Sequence, residues 1–146
     1  MTAQAQRSRP NGPAAPDMLR VPPHSIEAES SVLGALLLDA GKAWPLVHDL
    51  IAAGDFYRHE HKLIFNAIGN LVSTGQPVNV VSTLDHLRDL GIADEAGGIG
   101  YLNALAQYVP SAQHIEAHAR TVRELATLGA VAGLGDELAS AARRRD

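Results

Sequence analysis

The chain of 146 residues contains no cysteine, which excludes disulfides and thiolate metal sites. That absence fits a reducing compartment, and a cytoplasmic protein is expected. Aromatic residues are scarce at 4%, although 46% of the chain is hydrophobic, so any core must be mainly aliphatic. Long apolar runs are also missing. The longest, residues 32–38, falls far short of the ~20 residues a bilayer requires. Residues 1–20 carry Arg7, Arg9 and three prolines and no apolar core, so they do not read as a signal peptide. A soluble protein without a membrane partner is expected. Basic charge is short where it would matter: residues 25–142 hold six Lys or Arg against 14 Asp or Glu, a net of −8. Such a body repels phosphate, which disfavours direct DNA binding.

The motifs of common active sites are lacking too. Gly41 and Lys42 form the sole Gly-Lys pair, but Ala43 follows in place of Ser or Thr and Leu36 stands where a phosphate loop needs its first glycine. Gly97, Gly98 and Gly100 fail the dinucleotide pattern, because Asn103 replaces its last glycine; they read as a tight turn into a helix. His114 and His118 share a helical face, and His59 and His61 flank Glu60, but no third ligand is apparent and HExxH is absent. These histidines read as solvated or capping, with no metal or cofactor expected. Asp85 and Asp89, four apart, read as a solvated face with no nucleophile beside them.

What remains is helical periodicity. Residues 1–20, rich in Ala, Pro, Gln and Arg, read as a disordered tail. Val21, Pro22 and Pro23 make an extended entry, and Ser25 is placed to cap a first helix over 26–38, with Glu27 and Glu29 favoured by its dipole. Further helices are expected over 43–51 (Pro45 in its first turn), 60–73, 80–90 and 99–109. Ile64, Phe65, Ile68, Leu71 and Val72 form one stripe of the third. Gly75, Gly91 and Pro110 punctuate these elements. Ser111 caps a long last helix reaching about residue 142. No segment alternates as a strand does. The expected class is all-α: a compact orthogonal bundle of about five helices (head, 21–110), then a long C-terminal helix (111–146). Two readings of Arg143, Arg144 and Arg145 stay open, a phosphate contact or charge suited to a helix C-terminus.

Four blocks carry a family resemblance. The first is Val21, Pro22, Pro23, His24, Ser25, Ile26, Glu27, Ala28 and Glu29, with Ser31, Val32, Leu33 and Gly34. The second is Asp55, Phe56, Tyr57, His61, Ile64, Phe65 and Ile68; the third, Gly97, Gly98, Tyr101 and Leu102. The fourth is Pro110, Ser111, Ala112, Ile115, Ala119, Val122, Arg123 and Glu124. In this order, over about 21–142, they resemble the N-terminal domain of DnaB-type bacterial replicative helicases. The resemblance implies a helical head followed by the first arm of a helical hairpin. It also implies pairing of such domains into a trimer of dimers within a hexamer, docking of the primase C-terminal domain in the primosome, and a helicase loader as a further partner. ATP binding and DNA unwinding would belong to a motor that this sequence does not contain.

By this resemblance Glu27 and Tyr101 match positions of primase contact, while Ile115, Val122, Arg123 and Leu125 match the self-association helix. Glu27 also has its dipole role, and Tyr101 also reads as core. Phe56 and Tyr57 anchor the loop between the second and third helices. Gly34 permits close approach of a neighbouring helix, or is merely tolerated. Arg123 and Glu124 face solvent or a sister subunit. Departures exist: the second hairpin helix is absent, and His118 stands where the family often has tyrosine. Gly129, Gly133 and Gly135 weaken the last helix, which is expected to bend or fray after about Leu128 unless a partner helix packs on it. The alternatives are a free-standing helical adaptor of replication proteins, a small DNA-binding helical protein and a metal-dependent helical hydrolase.

Overall fold

Helix initiation follows the sequence at the first element. The Ser25 side chain accepts the Ala28 N–H at 3.1 Å and starts α1, Ile26–Val47. The computed structural model describes residues 21–108 and 114–145, so the expected tail over 1–20 and the expected cap at Ser111 lie outside the described residues. After α1 come a single 3-10 turn, Ala53–Asp55, then α2, His59–Ser73, and α3, Val80–Asp89. Helices α4, Gly98–Gln107, and α5, Ile115–Arg144, complete the order. Among the described residues there is no strand.

The first two expected helices are one kinked element. Asp39 leaves helical geometry (φ −156°, ψ 75°), and its carboxylate accepts the Lys42 N–H at 3.3 Å, capping the second segment. That segment ends at Val47, short of Ile51. Pro45 therefore sits in its second turn, not its first, and leaves the exposed Gly41 carbonyl without an in-helix donor. Asn79 caps α3 by accepting the Ser82 N–H, while the Ser82 hydroxyl accepts the Asn79 N–H. α2 and α3 end on glycines with positive φ, Gly75 and Gly91.

The core is aliphatic, as its composition requires. Val32, Leu33, Leu36 and Val47 from α1, Ile64 and Ile68 from α2, Leu87 from α3 and Leu102 from α4 are all fully buried. Phe56 anchors the loop after α1 against Phe65, ring centroids 5.1 Å apart. The core continues past residue 110: Ile115, Ala119 and Val122 are buried where α5 runs along α1. The last helix does not end after Leu128; it is continuous through Gly129, Gly133 and Gly135 to Arg144. At Gly129 the Pro22 and Pro23 rings lie 3.6 and 3.8 Å from where a Cβ would stand, so the N-terminal segment crosses α5 there.

At Gly34 α4 comes directly against α1. A Cβ there would stand 2.4 Å from the Leu105 carbonyl oxygen and 2.9 Å from that of Tyr108, so α4 ends against bare α1 backbone. Gly34→Ala is expected to lower stability by about 1–3 kcal/mol in urea unfolding, with helicity retained. Thr83 provides the opposite sign: its fully buried hydroxyl has no hydrogen-bond partner. Thr83→Val is expected to raise stability by about 1 kcal/mol in the same measurement.

Candidate functional site

The polar centre of the head forms where α1, α2 and α4 begin. Glu29 lies on the apolar face of α1, in step with Val32, Leu33 and Leu36, and is 1% exposed. Its carboxylate accepts the Tyr57 N–H at 2.7 Å and the Arg58 N–H at 3.4 Å, two donors that the approach to α2 leaves free. His61, also fully buried, places Nδ1 2.6 Å from Glu29 Oε1 and Nε2 2.5 Å from the Tyr101 hydroxyl. The His61 and Tyr101 rings lie nearly parallel, 5.8 Å apart. A carboxylate offers only lone pairs, so Nδ1 carries the proton and donates it. A single chain of hydrogen bonds thus runs from α1 through α2 to α4.

Around this chain the groups are partly open. The Arg58 guanidinium lies 5.3 Å from the centre of the Tyr101 ring and donates to both Glu60 oxygens at 3.1 and 3.4 Å. That hydrogen bonding raises Arg58 and lowers Glu60 from their ordinary pKa values. Burial raises the Tyr101 phenol, against the opposing pull of Arg58. His59 contacts Glu95 of the loop before α4. Gly97, at φ 104°, lets that loop turn under Tyr101, where a Cβ would stand 2.6 Å from the tyrosine Cβ.

The structure brings some expected site residues together and disperses others. Tyr101 is half-buried at the end of the chain, and Glu27 is exposed on the first turn of α1, at the same end of the head. Ile115 and Val122 are spent in the chain's own core at 3% and 2% exposure, and Leu125 is half-buried. Arg123 does not simply face solvent: its guanidinium donates to Asp55 at 2.8 Å, tying α5 to the 3-10 turn. Asp55 also accepts the Ala52 N–H. Tyr57, 43% exposed, stacks on His24 at 3.8 Å. Histidine read as solvated holds for His114 and not for His61. Among the described residues no three His, Asp or Glu side chains gather as a metal set, and no helix is long and apolar enough to cross a membrane.

Sequence reasoning missed Glu29 and His61 as the centre of this arrangement. The signal was present: both are polar residues on apolar stripes, His61 in step with Ile64, Phe65 and Ile68.

These features define a class, an all-helical domain knit by a buried carboxylate–imidazole–phenol chain and extended by a single long helix. Residues 21–124 match the DnaB-like helicase N terminal domain. The chain belongs to that family. It is 35% identical over 119 residues to the replicative DNA helicase DnaB of Pasteurella multocida, covering 82% of this chain and 25% of that protein. It is 40% identical over 109 residues to DnaB of Geobacillus stearothermophilus, covering 75% and 24%. The chain thus spans about a quarter of the curated relatives it matches. Its fold superposes on the crystal structure of the N-terminal domain of DnaB helicase from Mycobacterium tuberculosis with a TM-score of 0.78 at 33% identity, covering 82% of this chain and 84% of that one.

The raised Tyr101 phenol gives a pH dependence of definite sign. The folded state keeps a proton that the unfolded chain releases, so this stability is complete below the ordinary value of 10.0 and is lost as pH rises through the folded value. Between about pH 8 and about pH 11, Tyr101→Phe is expected to show a shallower alkaline fall in its urea midpoint than the parent chain. Parallel falls would remove Tyr101 as the source.

Proposed function

We propose that this chain is the N-terminal assembly and partner-docking module of a hexameric replicative DNA helicase. In this reading it docks the C-terminal domain of primase through the end of the head that presents Glu27 and Tyr101, and it self-associates through α5. ATP-driven unwinding belongs to the part of the relatives beyond the quarter that this chain spans, and a helicase loader is a further partner of the assembled protein.

One observation carries the assembly half. Beyond the head, α5 exposes Leu128, Val131, Leu134 and Leu138 at 55%, 60%, 59% and 70%. At 3.6 residues per turn they fall on one face, roughly 140° around the helix from Ile115, Ala119 and Val122. The stripe is therefore not a continuation of the face that packs on α1. Each such side chain contributes about 1.5–3 kcal/mol when fully buried, which a second copy of the helix supplies. Because Ile115 and Val122 are already covered within the chain, the association surface moves outward to this stripe, with Leu125 at its inner edge. The acidic body supports a protein partner over DNA.

Light scattering across a concentration series tests the assembly half. The parent chain is expected to self-associate, and Leu134→Asp with Leu138→Asp to stay monomeric with unchanged circular dichroism; a monomeric parent at every concentration counts against it. Calorimetry with the primase C-terminal domain tests docking. Glu27→Ala is expected to weaken binding about tenfold, equal to about 1.4 kcal/mol; unchanged affinity would remove Glu27 from the contact.

A further inference from the structure

The chain from Glu29 to Tyr101 has a direction, and the direction decides what Tyr101 offers a partner. Glu29 accepts two backbone N–H groups and the His61 Nδ1 proton. In a neutral imidazole His61 Nε2 is then a bare lone pair, 2.5 Å from the Tyr101 oxygen, and only the phenol has a proton to fill that contact. The phenol proton therefore points into the head. The oxygen's remaining lone pair is the hydrogen-bonding capacity left over.

The surroundings share that polarity. Glu27 is exposed on α1, and Asp94 and Glu95 are exposed in the loop before α4. Glu60 is half-buried at the start of α2. Of the cations at this end, Arg58 is engaged by Glu60 and the Tyr101 ring and His59 by Glu95, while half-buried Lys62 of α2 stands beside them. Ile99, 44% exposed in the first turn of α4, adds an apolar contact.

We infer that Glu29 and His61 act in series as positioning residues for Tyr101, holding its hydroxyl proton inward, so that this end of the head presents hydrogen-bond acceptors and fits a protein surface rich in Lys or Arg. The partner half rests on the docking reading above; the proton half does not.

Nitrogen-15 NMR of the intact chain at neutral pH reads the proton half without a partner. The His61 ring is expected as the tautomer protonated at Nδ1, with a slowly exchanging Tyr101 hydroxyl proton. A ring protonated only at Nε2, or at both nitrogens, overturns the inference even where docking is intact. Calorimetry with the primase C-terminal domain reads the partner half. Binding is expected to weaken about tenfold as salt screens the contact. Tyr101→Phe, folded as judged by its spectrum, is expected to weaken it about fivefold. Binding indifferent to both overturns the basic-partner assignment. No binding by a correctly tautomeric chain overturns the docking reading and the partner half with it, leaving the proton half supported.

Discussion

The buried carboxylate of Glu29 is the constraint around which the head is arranged. An ionised group taken out of water is costly unless it is paired and hydrogen-bonded, and truncating one partner of such a pair costs about 3–5 kcal/mol. Glu29 meets that demand with donors from outside its own helix: the N–H groups of Tyr57 and Arg58, and the His61 ring. These donors fix the loop between α1 and α2 in one conformation and set where α2 begins. The chain's next link, His61 to Tyr101, sets where α4 begins. The positive ends of three helix dipoles are thereby turned toward one negative charge.

Much of the fold was legible before any coordinates. Ser25 as a cap, Gly91 as a terminator and the turn at Gly97 and Gly98 follow from local chemistry, and local chemistry is what a sequence states most directly. The close approach at Gly34 was readable as a possibility that only the position of the Leu105 carbonyl decides. What escaped was tertiary. The break near Asp39 was visible as a gap between two periodic stretches, yet its outcome, a capped kink that pushes Pro45 into a second turn, depends on packing. Glu29 was read as a dipole residue because its position in the first turn suffices for that role. Its burial depends on a loop and a histidine some 30 residues away.

α5 divides into two halves with different duties. The first is core: Ile115, Ala119 and Val122 lie on α1, and Arg123 reaches back to Asp55. The second carries apolar side chains with nothing beneath them. Glycines at 129, 133 and 135 lower its intrinsic helicity by about 1 kcal/mol each relative to alanine. Its continuity rests on the anchored half extending the ladder, since propagation is far easier than nucleation. Such a helix is held at one end and gains most from a partner along the other.

The two surfaces therefore differ in kind. The α5 stripe is apolar and non-directional, so it provides association energy with little control over what it meets. The polar centre where α1, α2 and α4 begin spends buried polar groups on geometry. Replacing a buried ionic set with apolar residues is often neutral or favourable for stability, so stability is a poor reason for the Glu29, His61 and Tyr101 chain to exist. Its effect is to fix which atoms of α4 face outward and which proton is withheld, properties that a purely aliphatic junction of Leu33, Ile64 and Leu102 does not specify. In the proposed reading, strength of association and selectivity of recognition fall to separate surfaces, joined by the α1 scaffold on which both α4 and α5 pack.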